Sequence, residues 1–209
     1  MISHKHQCIF VHIPKCGGTS IEDVIWPNME DKTDANLWMG FVSKYRNKYQ
    51  TGGLQHLLAR QIELEVGSVV FKRYFKFAII RNPWDKAVSQ FSYMKSRKDL
   101  REFIGMKDHD DFKQYLSLIQ KTCHVQWLPQ HIFLESAEGD VLVDFVGRFE
   151  NFKNDFSAIL ERLQLRGVNQ IPHKNKSCRS HYRDYYDSEA MEMIREMYAM
   201  DIRKFGYVF

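Results

Sequence analysis

No apolar run in the 209 residues approaches the roughly 20 that a membrane-spanning helix needs. Met1 to Gln7 carry two His and a Lys, with no following apolar stretch and small-residue cleavage site, so neither a signal peptide nor an anchor is expected. Cysteine is scarce. Cys8, Cys16, Cys123 and Cys178 contain no C-x-x-C pair, which leaves a zinc or redox motif without support. A chain of this length buries a core without disulfide staples, so reduced cysteines and a cytoplasmic location are expected. Internal repeats and long linkers are also missing. Charge of one sign is nearly missing: 30 basic against 26 acidic residues leave +4. That excess suits an anionic ligand and falls short of the charge density of a nucleic-acid binder, so no nucleic-acid partner is expected.

What is present is globular. A hydrophobic share of 44% with 27% charged residues excludes a disordered or collagen-like chain. The length predicts a single domain over residues 1–209. Cys8 to Ile13 is short, β-branched and apolar, as a buried parallel strand should be. Pro14 to Ser20 interrupts it, and helical spacing follows through Ile21, Val24 and Ile25. Phe75 to Ile80 repeats the pattern. It ends in Arg81-Asn82-Pro83, where Asn82 suits a cap and Pro83 the first helical turn. Strand, loop and helix twice over argue for an α/β domain with a central, mainly parallel sheet. Further helices are expected over Leu54–Leu64, Asp111–Gln120 and Asn151–Leu165. One more runs from Asp187 or Ser188 to Gly206, and a strand is expected within Val141–Phe149.

Lys15, Cys16, Gly17, Gly18, Thr19 and Ser20 fill the first loop. Glycines let backbone approach a ligand, and N–H groups at a helix start bind phosphate. Two hydroxyls and a lysine exceed what a plain turn needs. The loop is not a Walker A sequence, because Lys15 precedes the glycines instead of following them. A magnesium carboxylate is not evident, and Asp144 is its nearest imitation. In the second loop Asp85 and Ser89 share a helical face, with Arg81 just off its N-terminal end. Arg81 and Ser89 could grip a phosphate. Equally, Arg81 could pair with Asp85 and leave Ser89 on the surface.

Pro14-Lys15-Cys16-Gly17-Gly18-Thr19-Ser20 resembles the 5′-phosphosulfate loop of sulfotransferases, and Arg81-Asn82-Pro83-Trp84-Asp85-Lys86-Ala87-Val88-Ser89 resembles their 3′-phosphate motif. The nearest group is the carbohydrate and heparan-type sulfotransferases with their short bacterial relatives. Gly147 to Phe152, Asn175-Lys176-Ser177 and Asp201 to Phe209 extend the resemblance over nearly the whole chain, weakest at residues 28–53 and 97–140. It implies a three-layer, P-loop-like domain and the donor 3′-phosphoadenosine 5′-phosphosulfate (PAPS), without a metal. It implies that Lys15, Cys16, Gly17, Gly18, Thr19 and Ser20 hold the 5′-phosphosulfate, Arg81 and Ser89 the 3′-phosphate, and Lys176 and Ser177 the nucleotide. The acceptor would be a hydroxyl, of a glycan or another small molecule, with no stable membrane insertion. The oligomeric state is not legible.

The transfer needs a group to take the acceptor's proton, and a near-neutral His suits that role. On its own residues His56 reads as an exposed or capping helix histidine; the resemblance makes it the catalytic base, with Lys15 stabilising charge on the leaving oxygen. His12 reads as structural, and His4, His6, His109, His124 and His131 lack metal-ligand spacing. The basic run His173 to Arg183 is either a solvated loop or a lid over the nucleotide. Lys44, Tyr45, Arg46, Lys48 and Tyr49 form either an amphipathic helix or a surface for a sugar chain. Two other classes remain: a P-loop kinase using a nucleoside triphosphate, and a non-catalytic binder of nucleotide or polysaccharide.

Overall fold

A computed structural model describes residues 1–38, 53–165 and 179–209. Its centre is a four-stranded sheet in the order β1-β2-β3-β4. Strand β1 (Ile2–Ser3) runs antiparallel to β2 (Cys8–Phe10), which lies parallel to β3 (Phe75–Ile80), in turn parallel to β4 (Phe145–Arg148). Cys8, Ile9, Phe10 and Phe77 to Ile80 are all buried. This is why Cys8–Phe10 and Phe77–Ile80 read as apolar runs: helices flank the sheet, so these segments are buried on both faces.

The helices are α1 (Gly18–Ile25), α2 (Ala59–Val66), α3 (Ser68–Arg73), α4 (Pro83–Met94), α5 (Lys98–Ile104), α6 (Phe112–Gln120), α7 (Gln130–Leu134), α8 (Phe152–Arg162), α9 (Ser188–Met197) and α10 (Ala199–Phe205). Helix α4 starts as its sequence requires. Pro83 occupies the first turn, and the Asn82 side chain accepts from Trp84 N at 3.0 Å. Asp111 and Asp187 cap α6 and α9 in the same way. None of the helices in the described residues is long and apolar enough to cross a membrane.

Three expectations change. The helix expected over Leu54–Leu64 is a 3-10 turn, Leu54–His56, followed by α2 from Ala59. Leu57 and Leu58 between them are extended, with ψ near 143° and 153°. Their leucines keep helical spacing and are all buried, but tertiary packing supplies that burial without a helix. The last helix breaks at Tyr198 into α9 and α10 before Gly206 ends it in the left-handed region. The first strand pairs only to Phe10, although Val11 N still donates to Phe77 O at 2.9 Å.

The carboxyl ends of β2, β3 and β4 lead into residues 14–17, 81–82 and 149–151 along one edge of the sheet. Open α/β sheets bind ligands at that edge.

Candidate active site

A cavity of about 620 Å³ lies at this edge. From the β2 side it is lined by His12, Lys15, Gly17, Gly18, Thr19 and Ser20, and from the β3 side by Arg81, Asp85 and Ser89. Phe149, Glu150 and Phe152 follow β4, and Arg179, Ser180, His181 and Tyr182 close the far wall. The structure therefore brings both predicted anion loops into one space. Lys176, Ser177 and the segment from Lys44 to Tyr49 lie outside the described residues.

The first loop turns at Gly17, whose φ of 84° places it in the left-handed region. Helix α1 begins directly after it; Ser20 N turns back onto Gly17 O at 3.2 Å, and helix geometry leaves the Gly18 and Thr19 N–H groups without intrahelical acceptors at the cavity. The macrodipole adds partial positive charge there. Gly18 is required for a different reason: a Cβ there would fall 2.0 Å from His12 Nε2. The His12 ring thus packs directly on the start of α1, with Nδ1 3.1 Å from Glu22 Oε1. Ser20 is buried and Thr19 exposed. Cys16 does not line the cavity. Its buried thiol donates to Pro14 O at 3.6 Å and Gln130 Oε1 at 3.4 Å, so the loop position, not the side chain, faces the ligand space.

Lys15 Nζ sits 4.1 Å from the centre of the Tyr93 ring. Burial, and next the charge of Arg81, push its ammonium down to about 8. An incoming anion would oppose this shift by stabilising the ammonium.

Arg81 is nearly saturated. Its Nε and Nη2 reach Asp85 Oδ2 at 2.8 and 2.7 Å, Nη1 donates to Lys15 O at 2.9 Å, and its guanidinium lies 3.9 Å from the Phe149 ring centre. Both sequence alternatives hold in part: the Arg81–Asp85 pair forms, yet Ser89 is buried against the cavity and not on the surface. Asp85 also pairs with Arg179. Three cations, Lys15, Arg81 and Arg179, face two carboxylates, Asp85 and Glu150.

His56 is not among the lining residues. It stands one ring behind His12, with ring centres 4.7 Å apart. His56 Nδ1 lies 3.1 Å from His12 O, and a carbonyl can only accept. That bond places the proton on Nδ1 and leaves Nε2 as the acceptor. Desolvation first, and then His12, hold the imidazole well below its ordinary value, so it is neutral in the free protein.

Sequence reasoning gave His12 a structural role and missed its place on the cavity wall. Its position three residues before Lys15 was the available signal. Phe149, Phe152, Arg179 and Tyr182 were present only inside longer motifs. Asp144 is excluded from the site: it ties down the opposite end of the sheet, accepting from Lys76 N at 2.7 Å. Among the described residues no group of three or more His, Cys, Asp or Glu could hold a metal.

Residues 1–208 match the model of the Sulfotransferase family. Carbohydrate sulfotransferase 10 of Xenopus laevis is 22% identical over 99% of this chain, a match that spans 66% of the amphibian protein. An uncharacterized protein of Archaeoglobus fulgidus is 28% identical over 51% of this chain and 82% of its own length. No solved structure gives a significant match. With a family match running from the first strand to the penultimate residue, the chain belongs to the sulfotransferase family.

Proposed function

We propose that the protein moves a sulfuryl group from PAPS to an acceptor hydroxyl, acting as one three-layer, P-loop-like domain over residues 1–209. The observation that carries this reading is that the glycine loop and the Arg81–Ser89 pair, on neighbouring parallel strands, face one cavity. Two anionic groups of a single ligand can be held there together. A carbohydrate is the acceptor class favoured by the similarity to carbohydrate sulfotransferase 10.

Bound donor would supply the activated sulfuryl group, and the chain's own residues do the rest. Free N–H groups after Gly17, with Thr19 and Ser20, hold the 5′-phosphosulfate. Arg81 and Ser89 hold the 3′-phosphate, joined by Lys176 and Ser177. Lys15 stabilises charge growing on the leaving oxygen, and His56 Nε2 takes the acceptor's proton. Sulfuryl transfer of this kind rests on positioning and electrostatics, with no covalent step and no metal asked of the protein.

Calorimetry without magnesium should show 3′-phosphoadenosine 5′-phosphate binding tightly and ATP weakly. Lys15→Ala and Arg81→Ala should each abolish that binding, while His56→Ala should keep it and lose at least ~10² in turnover on a glycan acceptor. Unchanged binding in both donor-site variants would sink the site, and normal turnover in His56→Ala would remove it from the mechanism. Magnesium-dependent ATP binding would turn the assignment to a kinase.

A further inference from the structure

The two anion loops leave different strands, and a ligand that spans them needs their spacing fixed. A buried side chain from outside both loops hydrogen-bonds to each of them. Gln130 opens α7, inside the stretch where the sequence resembles the family least, and it is fully buried. Its Oε1 accepts from Arg81 N at 2.8 Å, and its Nε2 donates to Arg81 O at 2.7 Å. The amide thus clamps the main chain of Arg81 from both sides, as a neighbouring strand would. The same Oε1 accepts the Cys16 thiol at 3.4 Å.

Gln130 is itself held from behind. Asp201 on α10, also fully buried, accepts from Gln130 N at 2.6 Å and from His131 N at 2.9 Å, and pairs with His131 Nδ1 at 2.6 Å. A buried carboxylate with three such partners has little freedom to move. The contacts run from α10 through the start of α7 to the ends of β2 and β3.

We propose that Gln130, fixed by Asp201, is a positioning residue that sets the spacing of the two anion-binding loops for a ligand spanning both. The proposal rests on the donor reading above. Removing the amide leaves the Arg81 N–H and C=O buried without partners, and that strand end must shift to find others.

The test compares Gln130→Met, which keeps length without polar atoms, with Phe133→Leu. Phe133 is a fully buried residue of the same helix that touches neither loop through a hydrogen bond. Both should lower Tm. Only Gln130→Met should weaken 3′-phosphoadenosine 5′-phosphate binding, about tenfold. Its donor KM should rise by the same factor at unchanged acceptor KM. If Gln130→Met does not fold, Gln130→Glu carries the comparison, because it keeps the acceptor for Arg81 N–H and loses the donor to Arg81 O. Equal affinity in Gln130→Met and wild type, or losses that follow Tm alike in both helix variants, would overturn the clamp while leaving the donor site intact. Failure of the wild-type protein to bind the nucleotide would overturn both.

Discussion

Lys15 is a cation held where water solvates it poorly, with Arg81 nearby and Tyr93 beneath it. Free in solution a lysine titrates near 10.4, so at neutral pH its charge is seldom in question. Here the ammonium sits at about 8 in the free protein, and a bound phosphosulfate would raise it. The sign follows. Below pH 8 the site is already charged and binding needs no proton. Above it, binding must draw a proton from solution, so affinity falls as pH rises. Calorimetry near pH 8 in buffers of different ionisation enthalpy should show proton uptake with the nucleotide, and the uptake should vanish at pH 6, where Lys15 is already charged. Lys15→Arg should not restore the wild type, because a broad, flat guanidinium does not replace a compact ammonium over one ring face.

Helix α4 joins local chemistry to the site. Asn82 caps it through Trp84 N, donates its Nδ2 to Val208 O at 2.9 Å, and precedes the helix that carries Asp85 and Ser89. Asn82→Ala should cost about 2 kcal/mol from the lost cap and the lost bond together. A Tm drop of about 4–8 °C would register it. This element was legible beforehand because its start depends on neighbours in sequence: Asn82, Pro83 and an apolar stripe. The parallel strands were legible for a related reason, as burial on both faces writes itself into the composition of one segment. The region of His56 was not. Leu54, Leu57, Leu58 and Ile62 fit a helical stripe, yet the chain straightens at Leu57 and Leu58. The contact made by that segment, His56 to the His12 carbonyl, is 44 residues away and leaves no periodic trace. Strand β1 escaped notice because two residues carry no period at all.

Across the whole molecule the cavity is assembled from segments far apart in sequence, and the last residues brace it. Phe209 meets Trp84, Tyr182 and Tyr186 edge-on, with centres 5.7, 5.6 and 5.3 Å apart. Its carbonyl accepts from Arg183 at 2.8 Å. Tyr207 is buried and donates to Glu150 at 3.3 Å. Phe209→Ala removes the three ring contacts, each of which is worth about 0.5–1.5 kcal/mol where well packed. It should free Tyr182 on the cavity wall and weaken nucleotide binding several-fold, without changing turnover at saturating donor. Such couplings explain why the motifs were readable one by one while the wall around them was not: which aromatic closes a cavity is decided by where the chain returns. Asp85 has a consequence of the same reach. By occupying Arg81 and Arg179 it acts as a resident counter-ion, and on the proposed function a donor phosphate would exchange with it. A lone phosphate or sulfate must displace the carboxylate and gains little else, whereas a ligand anchored at both loops recovers the loss. On that reading the carboxylate would lower affinity for lone anions and favour a ligand held at both loops. Asp85→Asn should bind inorganic sulfate more tightly than the wild type does and lose part of its preference for the two-site nucleotide, as competition calorimetry would show.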